Sequence, residues 1–280
     1  MATGVEAVKY RREFIGVFNT SVTLLKDRMT DESMDYGRSV VFDITAVGGR
    51  MATRSIDGRI PRTNVSDAQV TASLVEYVKK FEVTDMDKFV SQSDERAKMN
   101  HRIMESVNQE IDYNIMTELA NATTTATASG TGVTLATMTK TIAQLAANQV
   151  AITPNDVTWV ISPFMEAKLQ QIAQKTSWDY VPVRTLESGG NQFQNERKIQ
   201  TWLNVSWIVH PNLPGVGTNA CTTYLYHRNA VGFAVPTNQM MHSAGYDDQD
   251  HYHYCSATMK AATKILQQPG VFKFVNDDTA

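Results

Sequence analysis

The sequence predicts an α+β fold hung on one long helix. Three observations carry that reading. Apolar residues recur at helical spacing from Ser91 to Ala122, strand-like runs punctuated by turn dipeptides precede them, and helical and strand patterns alternate after them.

The long helix comes first because the rest is arranged about it. Ser91, Ser93 and Asp94 offer oxygens to the unpaired amides of a first turn, and Asp94 and Glu95 suit its positive dipole end. Met99, Ile103, Val107, Ile111, Ile115 and Leu119 then follow at four-residue steps, with Met104 and Met116 beside them. At roughly 3.6 residues per turn such a stripe drifts by about 40° at each step. It winds around the helix and cannot serve one flat partner. A rod of about 45 Å should act as a spine touching several layers.

The N-terminal stretch, residues 1–38, mixes apolar clusters (Phe14, Ile15, Val17, Phe18, then Val22, Leu24, Leu25) with Lys9, Arg11, Arg12, Lys26 and Arg28. Its helical pattern breaks near Gly16 and Asn19. Two readings stand: a helix packed on the domain, or an arm lying on a neighbouring subunit.

Residues 39–90 read as strand, excursion and strand. SVVFDITAV and AQVTASLVEYVKKFEV are strand-like, and between them Gly48-Gly49, Asp57-Gly58 and Pro61 mark turns. From Thr45 to Ser66 the charges are Arg50, Arg54, Arg59 and Arg62 against Asp57 alone, with few large apolar residues. This excursion cannot build its own core. It is either a loose loop or a ribbon docked on another chain.

After the spine, ATTTATASGTG reads as a joint, and 135–235 as a compact α/β or α+β unit. LATMTKTIAQLAANQV is an amphipathic helix with Leu135, Met138, Ile142 and Leu145 on one side. VTWVIS is a short buried strand, and Pro163 opens the helix PFMEAKLQQIAQK. KIQTWLNVSWIVHPNLP carries strand segments and TTYLYHRNAVGFAVP a further strand pair. The tail from Met240 alternates over much of its length and is expected to return in strands beside the spine.

Composition narrows the function classes. A chain of 280 residues with 42% hydrophobic content can bury a core, and a net charge of -3 gives no general pull toward nucleic acid or anionic membrane. There is no signal-peptide pattern and no apolar run near the ~20 residues of a spanning helix, so a soluble protein made inside the cell is expected. The two cysteines, Cys221 and Cys255, make no disulfide framework.

A search for chemistry returns little. The zincin, nucleophile-elbow, phosphate-loop and paired-cysteine motifs are all missing. GVGTNA (215–220) fits a loose glycine-rich pattern, yet it precedes a strand where a dinucleotide site needs a helix. His101, Glu105 and Asp112 could share a helix face and form half of a carboxylate-bridged metal site, but no facing helix supplies the other half. The best metal candidate is HYHYC. In a strand His251, His253 and Cys255 would share one face, with His242 or Asp250 able to complete a zinc site. Same-face neighbours sit about 6–7 Å apart, wide for zinc, so a polar sheet face is the competing reading.

The order of elements says more than any motif. VVFDITAV with SLVEYVKKFEV, then DERAKMNHRIMESVNQEIDYNIMTEL, then DVTWVISPFMEAKLQ, NVSWIVHPNLP and YHRNAVGFAVP, and last ATMKAATKILQQPGVFKF, resemble in series the major capsid proteins of tailed bacteriophages. Theirs is the Hong Kong 97-like fold, shared with encapsulin shells. The resemblance implies an N-terminal arm (1–38), an extended E-loop and the start of the peripheral P-domain (39–90), the spine and joint (91–134), an axial A-domain (135–235) and returning P-domain strands (236–280).

It further implies a structural protein without catalytic or cofactor site. Copies would assemble into hexamers and pentamers of an icosahedral head enclosing double-stranded DNA, made in the host cytoplasm and located in the virion, with no membrane partner. A separate scaffolding protein and a portal are the expected partners. An encapsulin-like compartment is the near alternative, and a zinc-dependent metalloenzyme using His251, His253 and Cys255 the distant one. In the family the E-loop lies over an adjacent subunit, so Arg50, Arg54, Arg59 and Arg62 are candidate partners for Asp247, Asp248 and Asp250 across a subunit boundary.

Overall fold

The computed structural model describes residues 23–32, 37–45, 53–54, 67–85, 95–127, 132–172, 200–236 and 241–279. The helix starts proposed at Ser91, Ser93 and Asp94, and the first part of the N-terminal stretch, lie outside them.

Two sheets meet along the spine, and a two-stranded ribbon packs on one of them. Strands β1 (Thr30–Asp31), β10 (Val231–Ala234), β12 (Tyr252–Ile265), β11 (Met241–Asp247) and β4 (Val75–Thr84) form a five-stranded sheet. Strands β5 (Thr124–Thr127), β13 (Val271–Asn276), β9 (Cys221–His227), β6 (Val157–Ile161), β8 (Val205–Val209) and β7 (Gln200–Trp202) line up in that order as a six-stranded sheet. β2 (Ser39–Ile44) and β3 (Ala68–Ser73) pair antiparallel, closing on Ile44 opposite Ala68, so residues 45–67 connect a two-stranded ribbon. The root of that ribbon is anchored by Phe42, whose ring lies against Gly232 of β10. A methyl group at Gly232 would sit 2.7 Å from the ring, so only glycine lets the strand approach.

The spine, α1 (Glu95–Leu119), follows the winding stripe. Met99 and Ile103 pack with Cys255 and Ala257 of β12. Roughly two to four turns beyond Ile103, residues Ile111, Ile115, Met116 and Leu119 enter a different cluster with Tyr224, Tyr226, Phe233 and Met259, which spans both sheets. The same helix thus meets the five-stranded sheet at one end and the junction of the two sheets at the other. Met104, expected beside the stripe, is 59% exposed; it points about 100° round the helix from Ile103.

The two helix patterns of 135–235 form helices, but the sheet they pack on takes in β5, from the stretch read as a joint, and β13, from the tail, and leaves out β10. α2 (Leu135–Ala147) starts at a reciprocal cap between Thr134 and Thr137 and buries Met138 and Leu145. α3 (Pro163–Gln171) starts with Pro163 after the Ser162 hydroxyl accepts the Met165 amide at 3.0 Å. Both pack around Trp159, which stacks on Trp207 at 4.7 Å and meets Phe274 edge-on at 5.3 Å.

Two pairings differ from the local patterns. β9 and β10 are consecutive but do not pair; the turn at Arg228–Ala230 carries the chain from one sheet to the other. The tail divides likewise. β12 returns beside the spine, whereas β13 leaves it and pairs with β9, Val271 opposite Tyr226.

Candidate intersubunit surface

Strands β11, β12 and β4 form a three-stranded ribbon with two unlike faces. Residues directly opposite each other across paired strands share a face. Cys255, Ala257 and Met259 point to the spine and are buried. The alternate residues Tyr252, Tyr254, Ser256, Thr258 and Lys260 form the other face, aligned with Thr84, Glu82, Lys80, Val78 and Glu76 of β4. On β11, Met241 lies opposite Thr258, so Val78, Thr258 and Met241 make one row across three strands. Val78 is 64% and Met241 68% exposed.

Lys80 organises the polar part of this outer face. Its ammonium donates to the Tyr252 hydroxyl at 2.6 Å, meets Glu82 at 2.8 Å, and sits 4.5 Å above the Tyr252 ring. These contacts favour its charged form, raising its pKa above the ordinary value. The ribbon's end is acidic. Asp85 leaves β4 there, and Asp247, Asp248 and Asp250 crowd the turn between β11 and β12. The Gln249 amide donates to Asp247 at 3.0 Å and holds that carboxyl below its ordinary value. Asp85 accepts from the Tyr246 hydroxyl at 2.8 Å, which pushes the phenol up, and meets His253 at 3.0 Å.

Of the predicted basic partners, Arg54 is exposed, and Arg50, Arg59 and Arg62 lie outside the described residues. Among the described residues no ion pair joins Arg54 to the acidic end within one chain.

The metal candidates do not come together as the strand pattern suggested. His251 is not in the strand; it closes the turn with φ 51° and its Nδ1 lies 3.0 Å from the Tyr246 hydroxyl. His253 faces Asp85, and Cys255 is buried against the spine. A strand beginning at Tyr252 therefore leaves no shared donor set for the three, and the metalloenzyme reading that rests on all of them loses its site; of the other candidates named, His242 does reach Cys255, at 3.1 Å. His101 and Glu105 approach to 3.5 Å, while Asp112 turns inward away from both.

GVGTNA forms a loop rather than a nucleotide cradle. Gly215 and Gly217 both take φ 75°, and the Gly217 amide donates to Asp278 at 3.1 Å. Asp278 also accepts from Ser162 at 2.9 Å and Asn276 at 2.7 Å, so the loop fastens the end of the chain. A cleft of about 370 Å³ between the spine and β4 is lined by Lys79, Ser106, Glu110, Tyr77 and Tyr113, and the Ser106 hydroxyl donates to the Arg102 carbonyl at 2.8 Å.

Sequence reasoning missed the buried polar junctions at Asp112 and Asp278. The one available signal was Asp112 itself, a charge set between Ile111 and Ile115 on the apolar stripe.

Comparison with known proteins bears on the whole chain. A family model described as phage capsid protein matches residues 3–277. No curated protein sequence matches. Among solved structures, a chain from Mycobacterium phage Che8 is 15% identical with a TM-score of 0.75, covering 98% of each chain. The capsid of Ralstonia phage GP4 is 13% identical with a TM-score of 0.73, covering 99% of this chain and 97% of its own. The head structure of Helicobacter pylori bacteriophage KHP40 is 10% identical with a TM-score of 0.75, covering 96% and 94%.

Proposed function

The chain belongs to the phage capsid protein family and has the Hong Kong 97-like fold, and from that premise we propose that its copies assemble into the hexamers and pentamers of an icosahedral head enclosing double-stranded DNA. It is a structural protein of the virion. The finer assignments are part of the proposal: 1–38 as arm, 39–90 as E-loop and P-domain entry, 91–134 as spine and joint, 135–235 as A-domain, and 236–280 as return. So are host-cytoplasmic synthesis, a separate scaffolding protein and a portal.

One observation supports assembly most directly. The ribbon's outer face presents Val78 and Met241 in one row, both more than half exposed, six residues along the ribbon from its acidic end. Two exposed apolar side chains either side of Thr258, flanked on β4 by Glu76 and Lys80, make a surface that a neighbouring subunit can bury. A net charge of -3 also suits a wall that contains DNA without gripping it, since every neutralised phosphate adds salt-sensitive affinity.

The test is electron microscopy of the expressed chain, alone and together with candidate scaffolding proteins. Closed shells of uniform diameter are expected. Subunits that remain dispersed under both conditions overturn the proposal.

A further inference from the structure

Asn100, His242 and Cys255 meet from three different elements, α1, β11 and β12. The Cys255 sulfur lies 2.9 Å from Asn100 Oδ1 and 3.1 Å from His242 Nε2. That nitrogen is itself 3.1 Å from the same asparagine oxygen. The three atoms form a triangle in which every corner is a metal-ligating type. The buried thiol is its floor, Asn100 is half-buried, and His242 is exposed at its mouth.

We propose that this triangle binds a thiophilic divalent cation of the zinc class, with the Cys255 thiolate, His242 Nε2 and Asn100 Oδ1 as protein ligands and water in the fourth position.

The donor chemistry selects the class, because a thiolate with an imidazole favours zinc-like ions over magnesium or calcium. Tetrahedral zinc holds sulfur at about 2.3 Å and nitrogen or oxygen at about 2.0–2.2 Å, which spaces ligand atoms roughly 3.4–3.6 Å apart. The empty triangle is about 0.5 Å tighter on each edge. Swinging the exposed imidazole outward opens its two edges, and the sulfur–oxygen edge opens when the half-buried Asn100 side chain also rotates away from Cys255. Binding would release the thiol proton to solvent and leave the imidazole neutral.

This set differs from the HYHYC reading, since His251 and His253 are engaged with Tyr246 and Asp85 and take no part. The ion would rivet the start of the spine to the ribbon's β11–β12 hairpin. Cys221 does not compete: burial, with Asp278 beside it, pushes its thiol up to about 12, so it keeps its proton near neutrality.

The experiment titrates cobalt(II) into the reduced, chelator-treated full chain. One equivalent should bind with a thiolate-to-metal band in the near ultraviolet, and zinc should displace it. Cys255→Ser should abolish the band, His242→Ala should weaken binding at least tenfold, and Cys221→Ser should change nothing. A wild-type chain without the band, or a band that survives in Cys255→Ser, overturns the site. If circular dichroism shows that Cys255→Ser does not fold, His242→Ala decides: undiminished affinity there also overturns it.

Discussion

The Asp112 carboxylate faces the His210 imidazole at 3.4 Å, both side chains about 95% buried. His210 Nδ1 accepts the Asn212 amide at 3.1 Å, which leaves the proton on Nε2, directed at Asp112. The same carboxylate accepts the amides of Leu24 at 3.1 Å and Leu25 at 3.4 Å. One side chain of the spine therefore joins the chain's N-terminal part, the spine and the segment after β8. We predict that Asp112→Ala destabilises the isolated subunit, with about 1–3 kcal/mol lost for each buried donor left unpaired. Urea unfolding should show a lower midpoint. An unchanged midpoint would mean that water replaces the carboxylate.

The second core turns on Trp159. Its indole nitrogen donates to Thr223 at 3.1 Å, and that hydroxyl in turn donates to the Phe274 carbonyl at 3.2 Å. Trp159→Ala should cost about 3–5 kcal/mol, because it removes a fully buried ring and leaves a cavity beneath Trp207. Trp159→Phe should cost clearly less, since the phenyl ring refills most of the cavity under Trp207. Calorimetry on both variants checks the order.

The contrast between these sites shows what sequence could carry. Met99, Ile103, Ile111, Ile115 and Leu119 were legible because helical periodicity is local, and each is buried. The partner of β13 was not legible, because alternation in VFKFV says that a strand exists and nothing about whether β9 or β12 receives it. His251 misled for a related reason. A left-handed turn residue placed one position before the strand removes it from the face that strict alternation assigns. Asp112 and Asp278 look like surface charges until the fold surrounds them with amide and hydroxyl donors. Of the candidate subunit contact, sequence marked the acidic cluster, and the fold places it at a ribbon end.

His227 gives stability a pH dependence. Its Nδ1 accepts the Asn229 amide at 3.1 Å, and burial holds its pKa below the ordinary 6.5, with Asp156 opposing that shift. The folded chain therefore binds this proton less readily than the unfolded chain. The contribution is full above pH 6.5 and is lost as pH falls from there through the lower folded value. His227→Asn keeps an acceptor for the turn without a titrating ring. Its unfolding midpoint should fall less on acidification than that of the wild type, and parallel curves would exclude His227 as the source.

Some shells of this fold weld subunits by an isopeptide bond from an E-loop lysine. Here no lysine occurs between Asp27 and Val78, so the loop cannot supply that amine. Boiled, reduced particles should run as single chains on a denaturing gel. A ladder of multimers would overturn this expectation.

The last prediction concerns the two charged ends. The loop between β2 and β3 carries Arg50, Arg54, Arg59 and Arg62, and the β11–β12 turn carries Asp247, Asp248 and Asp250. Arginine forks grip carboxylates at two points and so fix register as well as attraction. An exposed pair is worth at most about 1 kcal/mol, but a shell repeats each contact at every subunit. Asp247 is a poor site for the test, because its carboxylate also holds the Gln249 amide and shapes the turn. Asp248 and Asp250 are exposed and better suited. Reversing both to lysine should cut particle yield on sedimentation, and adding Arg54→Glu and Arg59→Glu should restore part of it. Two unrelated solvated patches would give a different result: normal assembly of the acidic-end variant, or a combined variant no better than its worse parent. Either outcome would show that the two ends do not meet.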